Sequence, residues 1–263
     1  MSGQRSYRFS HALVRKPAHS VASGLRAADC GDPDAAAFSA EHRAYVAALE
    51  AAGLTVTVVE ALERFPDSVF VEDTALCLAS AAILLRPGAP SRAGEVGAIR
   101  PHLAEMVGHV DDLPGEGHVD GGDILATGTE LLVGLSARTD IAGAEALRPF
   151  AERSGYNLRI VQTPAEILHF KTECGLLDAE TLFATARLAD TGCFADYRVL
   201  IAPKGEEAAA NLIRVNDVVL VSDGFPQTRR QLERAGYTLV VVPTGQAALL
   251  DGGLSCMSLR FSG

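Results

Sequence analysis

Apolar residues fall in short blocks along the chain, separated by Gly, Pro, Asn and Asp. Such blocks read as strands and the spacers as turns. Tyr7 to Arg15 predicts a first strand, and residues 16–37 a long irregular segment rich in Pro, Ser, Gly and Asp. Asp34 to Ala52 carries Ala, Glu and Leu at helical spacing and stops at Gly53. Leu54 to Val59 is β-branched and predicts a buried strand, Phe65-Pro66-Asp67-Ser68 a turn, and Val69 to Leu78 a strand carrying Glu72 and Asp73. Further strands are predicted at Ala82 to Arg86, Leu158 to Val161, Val199 to Ala202 and Thr238 to Val242, with helices at Glu95 to Val107, Ile141 to Ser154 and Pro226 to Ala235. Ile124 to Ala126 and Glu130 to Leu135 read as a hairpin, as do Asn211 to Val215 and Val218 to Ser222 around Asn216-Asp217. Glu173 to Asp178 and Thr181 to Thr185 are two short strands. Leu254, Met257, Leu259 and Phe261 read as a last strand, with Cys256 at its mouth after Asp251-Gly252-Gly253.

A small or acidic turn followed by two apolar strands recurs near Glu72, Gly121, Thr172, Ala210 and Gly253. The starts lie about 40 to 50 residues apart, a period typical of repeat architectures. Closed radial packing protects the sheet edges of such repeats; a continuous βαβ sheet is the competing arrangement. No low-complexity linker divides the chain, so residues 1–263 are read as one domain.

Hydrophobic content of 48% is ample for a core, and the formal net charge is −10. That charge argues against nucleic acid and anionic membrane surfaces as partners and mildly favours a small cationic substrate. Five widely spaced cysteines without a C-x-x-C pair argue against a disulfide framework or zinc ribbon. The start, Met1 to Arg8, lacks the apolar region of a signal peptide, and no apolar run is long enough to span a bilayer. A reducing, cytoplasmic setting is the simplest expectation. Neither dinucleotide nor P-loop glycine patterns occur at the required places.

Nucleophilic cysteine chemistry needs a thiolate and usually a histidine to move protons. Of seven histidines, His169 stands out, set among apolar neighbours in Ile167-Leu168-His169-Phe170-Lys171 at a repeat start. Acidic residues gather at the same places: Asp67, Glu72 and Asp73 in one segment, Asp120 and Asp123 in another. On an extended strand Glu72 and Asp73 would point to opposite faces. Asp and Gly make turns anyway, but acidic turns repeated at one structural place suit a cationic ligand, since carboxylates pair strongly with guanidinium. Arg86 and Arg138 could meet a substrate carboxylate or could simply be solvated.

Six segments together resemble dimethylarginine dimethylaminohydrolases, in the bacterial single-domain form: Phe65 to Asp73, Arg86 to Arg92, Val119 to Asp123, Gly134 to Thr139, Leu168 to Lys171, and Asp251 to Phe261. They occur in the family's order over nearly the full length. The resemblance implies an α/β pentein fold, a five-bladed, pseudo-symmetric ββαβ propeller. It implies hydrolysis of Nω-methylated arginine to citrulline through a covalent cysteine adduct, with no cofactor and no metal. Cys256 matches the nucleophile, His169 the proton donor and acceptor, and Asp120 the acidic partner that holds the guanidinium. Glu72 and Asp73 match residues at the guanidinium end. Asp67 and the backbone near Leu25 match the α-amino site, Arg86 and Arg138 the α-carboxylate clamp, and Leu250 a backbone contact. Ser20 to Ala28 corresponds to the family's lid.

Three positions depart from the family pattern: Asp120 stands where relatives carry Glu, Phe170 where Leu is common, and Gly24-Leu25 aligns on a weak motif. Arginine deiminase chemistry would use the same residues. A non-catalytic binder of arginine-like ligands, or a metal site using Cys256, His169 and a carboxylate, are readings of another class. Cys30, Cys77, Cys174 and Cys193 receive no role, and homo-oligomer formation is left open.

Overall fold

The structure, a computed structural model, describes residues 6–78 and 81–262. Met1 to Arg5, most of the segment that argued against a signal peptide, lie outside the described residues. Among the described residues, fifteen strands form five three-stranded sheets. One sheet holds β1 (His11–Arg15), β2 (Thr55–Val59) and β15 (Leu259–Phe261). The others follow in chain order: β3 (Ala75–Leu78), β4 (Ala81–Leu84) and β5 (His109–Asp112); β6 (Ile124–Ala126), β7 (Glu130–Leu135) and β8 (Asn157–Gln162); β9 (Cys174–Leu176), β10 (Thr181–Ala184) and β11 (Arg198–Ile201); β12 (Ile213–Val215), β13 (Val218–Ser222) and β14 (Thr238–Val242). Each sheet has an antiparallel pair and then a third strand parallel to the middle one, as the ββαβ repeat requires.

Burial grades across every blade. The middle strands are almost wholly buried, whereas β2, β5 and β11 keep most side chains at least partly in solvent. This corrects the reading of Leu54 to Val59 as a buried strand: β2 is a blade edge on which only Val59 is buried. The apolar contacts lie between neighbouring blades. Leu13, Leu84, Val71 and Phe261 form one seam, Ile83, Ile124 and Leu131 the next, and Leu132, Cys174 and Leu182 a third.

Helix α1 (Ala35–Ala51) covers the blade that joins the two ends of the ring. Asp34 caps it by accepting from the Ala37 N–H at 2.6 Å, and Phe38, His42, Tyr45 and Leu49 form its buried stripe. The stretch Ile141 to Ser154, predicted as one helix, is two: α2 (Ile141–Ala146) and α3 (Arg148–Arg153), with Pro149 at the start of the second. No helix among the described residues is long and apolar enough to cross a membrane.

The predicted strand Val69 to Leu78 is also corrected. Val71–Thr74 is a 3-10 turn, and the strand begins only at Ala75. Matching 3-10 turns open three more blades, at Gly121–Asp123, Phe170–Thr172 and Glu207–Ala210. In the fifth blade Leu254 to Met257 is a turn, and β15 starts at Leu259, three residues beyond Cys256.

Candidate active site

The opening turns of the blades converge at one end of the ring, and neighbouring turns touch in ring order. Adjacent residues on a tight turn diverge, so each turn serves two sides. Asp73 faces the site. Its Oδ1 accepts from the Gly122 N–H at 2.8 Å, and its Oδ2 pairs with Arg92. Glu72 turns the other way, its Oε1 receiving Lys171 Nζ at 2.6 Å and Arg260 Nη2 at 3.2 Å. Glu72, Lys171, Ser255 and Arg260 line a cavity of about 190 Å³ among the inner strands, which neither Cys256 nor His169 borders. Glu72 therefore sits beneath Cys256, and its backbone N–H donates to the Cys256 carbonyl at 3.1 Å.

His169 precedes the 3-10 turn Phe170–Thr172, and its Nε2 lies 2.9 Å from Asp120 Oδ2. Asp123 fixes this turn. Its Oδ1 accepts from the Phe170 N–H at 2.8 Å, and its Oδ2 from the Ser136 and Thr139 hydroxyls at 2.7 and 2.6 Å. Burial disfavours a charged imidazole, but Asp73, Asp120 and Asp123 outweigh it and push His169 up to about 9. At neutral pH the ring is an imidazolium, so Nε2 donates to Asp120.

Asp120 is held on both carboxylate oxygens. Its side chain is wholly buried, with Oδ1 held by the Gly88 N–H at 2.7 Å and Oδ2 by His169. It holds the imidazole, while both Asp73 oxygens are engaged by the Gly122 N–H and Arg92. Burial would raise the Asp73 carboxyl, but His169, Arg92 and the Gly122 N–H hold it at about 2.

Cys256 is half-buried. Burial, then Glu72 and Asp73, push its thiol up to about 11, so it rests uncharged. A cation placed beside it would bring it down.

The remaining predicted residues lie at the far end of the same site. Asp67 Oδ1 accepts from the Leu25 N–H at 2.8 Å. A side chain on Gly24 would come within 3.0 Å of both Asp67 and Leu250, so the segment around Gly24 lies across both. The 3-10 turn His19–Ser23 leads into it, and the Ala27 N–H reaches Asp251. Arg86 is half-buried and donates to the carbonyls of Gly117 at 2.6 Å and Leu113 at 3.2 Å. Among the described residues, the Arg138 guanidinium has no hydrogen-bond partner, and its charge acts on Asp67. The two arginine loops abut, since a Cβ on Gly88 would fall 2.4 Å from the Arg138 carbonyl oxygen.

Arg92 was missed by sequence reasoning as a functional residue. It is buried, bridges Asp73 and Glu95, and donates to the Phe70 carbonyl at 2.7 Å. An arginine in a Pro-Ser-Arg turn looks solvated, and no local signal marks it as buried. For a metal, Asp73, Asp120 and His169 each offer one ligand atom within 4.8 Å of the others. Cys256 is not of this group, unlike the metal site considered from the sequence. All five cysteines are free thiols.

No protein-family model matches the chain. It is 38% identical over 254 residues to the dimethylarginine dimethylaminohydrolase of Pseudomonas aeruginosa, covering 96% of this chain and 100% of that protein. It is 32% identical to the enzyme of the same name from Streptomyces coelicolor, covering 95% and 96%. A solved structure of the Pseudomonas enzyme, a cysteine-to-serine mutant complexed with citrulline, superposes with a TM-score of 0.93 over 97% of this chain and 100% of that one. The N-terminal domain of a cyanobacterial arginine dihydrolase, 18% identical, has a TM-score of 0.84 over 96% of each chain and shares the fold. The five-bladed ring is thus the pentein fold, and the chain belongs to the dimethylarginine dimethylaminohydrolase family.

Proposed function

We infer that this protein hydrolyses Nω,Nω-dimethyl-L-arginine and Nω-methyl-L-arginine to L-citrulline, releasing dimethylamine or methylamine. The observation that carries this is a neutral thiol, an imidazolium and a buried carboxylate at one end of the ring, in a chain 38% identical to a named dimethylarginine dimethylaminohydrolase.

The protonation states order the steps. His169 already holds its proton, so it cannot be the base that ionises Cys256. The guanidinium supplies the missing positive charge. As it settles against Asp73, the carboxylates that oppose the thiolate acquire a counter-charge, and the thiol proton leaves to water. The sulfur attacks the guanidinium carbon, and His169 gives its proton to the departing dimethylamine. His169, now neutral, takes a proton from water. The resulting hydroxide adds to the S-alkylthiouronium carbon, and the C–S bond breaks as the hydroxyl proton passes to the departing sulfur, freeing citrulline and the neutral Cys256 thiol. Asp120 holds the imidazole throughout.

At the other end, Asp67 and the Leu25 backbone receive the α-amino group, under the lid and beside Leu250. Arg138 supplies the free cation for the α-carboxylate. Arg86, committed in part to the Leu113 and Gly117 carbonyls, supports it with its remaining donors. These assignments rest on placement and family resemblance together.

The test is direct. Incubation with asymmetric dimethylarginine is expected to yield citrulline and dimethylamine in equal amounts, with little product from arginine. Ammonia from arginine at a comparable rate would reassign the protein to the deiminases. Absence of product from both would remove the reaction.

A further inference from the structure

Four of the five blades place a residue of the site in their opening turn or just before it: Asp73, Asp120, His169 and Cys256. The fifth opening turn, Glu207–Ala210, is followed by Asn211, a buried side chain to which the sequence assigned nothing. Its Oδ1 accepts from the Ser255 N–H at 2.9 Å, and its Nδ2 lies 3.8 Å from Cys256 Sγ. The first contact fixes the second. The Ser255 N–H needs an acceptor, so the amide oxygen faces Ser255 and the amino group faces the sulfur. The nucleophile turn is moulded around this amide: a Cβ on Gly253 would fall 2.5 Å from Asn211 Cγ.

The charges around the sulfur give the amide its purpose. Glu72 and Asp73 both disfavour a thiolate. Lys171 and Arg260 are paired with Glu72, Arg92 with Asp73 and Glu95, and His169 with Asp120. What the sulfur meets directly is neutral: the Asn211 amide, the Gly253 N–H and the Ser255 hydroxyl at 3.9 Å. Neutral donors aimed at an atom that becomes an anion stabilise it without adding a proton to the reaction. We propose that Asn211 is a further catalytic residue, its amide N–H donating to the Cys256 sulfur as the thiolate forms and attacks. This rests on the assignment of Cys256 as nucleophile in the proposed reaction.

The test compares Asn211→Ala with the near-isosteric Asn211→Asp, which keeps an oxygen for the Ser255 N–H and replaces the donor by an anion. Ionisation of Cys256 is followed by the pH dependence of its alkylation by iodoacetamide, read by mass spectrometry of the residue-256 peptide so that Cys30 does not interfere. Thermal unfolding and citrulline binding report folding. Asn211→Ala is expected to raise the thiol pKa by about one unit and to lower kcat by roughly ten- to hundredfold, with KM within about threefold. Asn211→Asp is expected to raise the pKa further and to be the slower enzyme although the Ser255 contact survives. A merely structural role predicts the reverse order, so an active Asn211→Asp with a wild-type thiol pKa overturns the proposal. So does loss of activity in Asn211→Ala with an unmoved thiol pKa. Alkylation needs no turnover. A wild-type protein inert toward methylarginines whose Asn211 variants still shift the thiol would therefore sink the substrate assignment and uphold the donor.

Discussion

Asp120 touches both the His169 imidazole and the Gly88 N–H. The His169 proton is therefore held by a group buried with it, and that coupling makes stability depend on pH. A group whose pKa rises on folding stabilises the folded form most below its unfolded value and loses that contribution as pH climbs through the folded value. For His169 the window runs from 6.5 to about 9. The thermal midpoint of the wild type is expected to fall across that interval. In Asp120→Asn the fall should be smaller and complete at lower pH. Unfolding scans at half-unit steps check this, and an unchanged profile in Asp120→Asn would show that the two side chains are not coupled. Asp73 behaves with the opposite sign. Its contribution is complete above 3.8 and is lost as pH falls through about 2, outside the working range.

The 3-10 turns decide which element-level features could be read from the sequence. The hairpin Ile124–Ala126 with Glu130–Leu135 and the strand Thr238–Val242 were legible to the residue, because apolar runs there are bounded by turn residues on both sides. Val71–Thr74 was not, since Val69-Phe70-Val71 reads as a strand-forming run with no local break before it. β5, His109–Asp112, was missed because a solvated blade edge carries polar residues and no alternation. Of the site, titratable residues were found by charge and repeat position. Asn211 and Arg92 were not: one ends an alanine run, and the other sits in an ordinary turn until Asp73 and Glu95 are folded around it. The segment before α1 is tied down by the Leu25 N–H to Asp67 and the Ala27 N–H to Asp251, so in the proposed reaction Asp67 would meet both that segment and the substrate. Asp67→Asn keeps an oxygen for the Leu25 N–H but loses the charge that would meet an ammonium. KM is expected to rise about tenfold or more, the worth of a charge-assisted bond, with a smaller change in kcat. Steady-state kinetics decides it, and an unchanged KM would remove Asp67 from the α-amino site.

At the scale of the molecule, stability resides in seams between blades, so each blade depends on two neighbours. Leu13, on the strand between β2 and β15, is fully buried in one seam with Leu84 and Phe261. Leu13→Ala is expected to cost about 2–5 kcal/mol in denaturant unfolding, and a loss under 1 kcal/mol would show that the seams relax independently. That same blade has a consequence for the timing of biosynthesis. β15 pairs with β1 in the register His11 with Phe261 and Leu13 with Leu259, so β1 leaves the ribosome some 250 residues before its partner exists. Until then β1 has one exposed edge, and Asp73, His169 and Asn211 face a gap where the sulfur will sit. The thiol therefore reaches its carboxylates and its imidazolium only when the last blade shuts. In the proposed mechanism, the act that completes the fold is also the act that arms the enzyme.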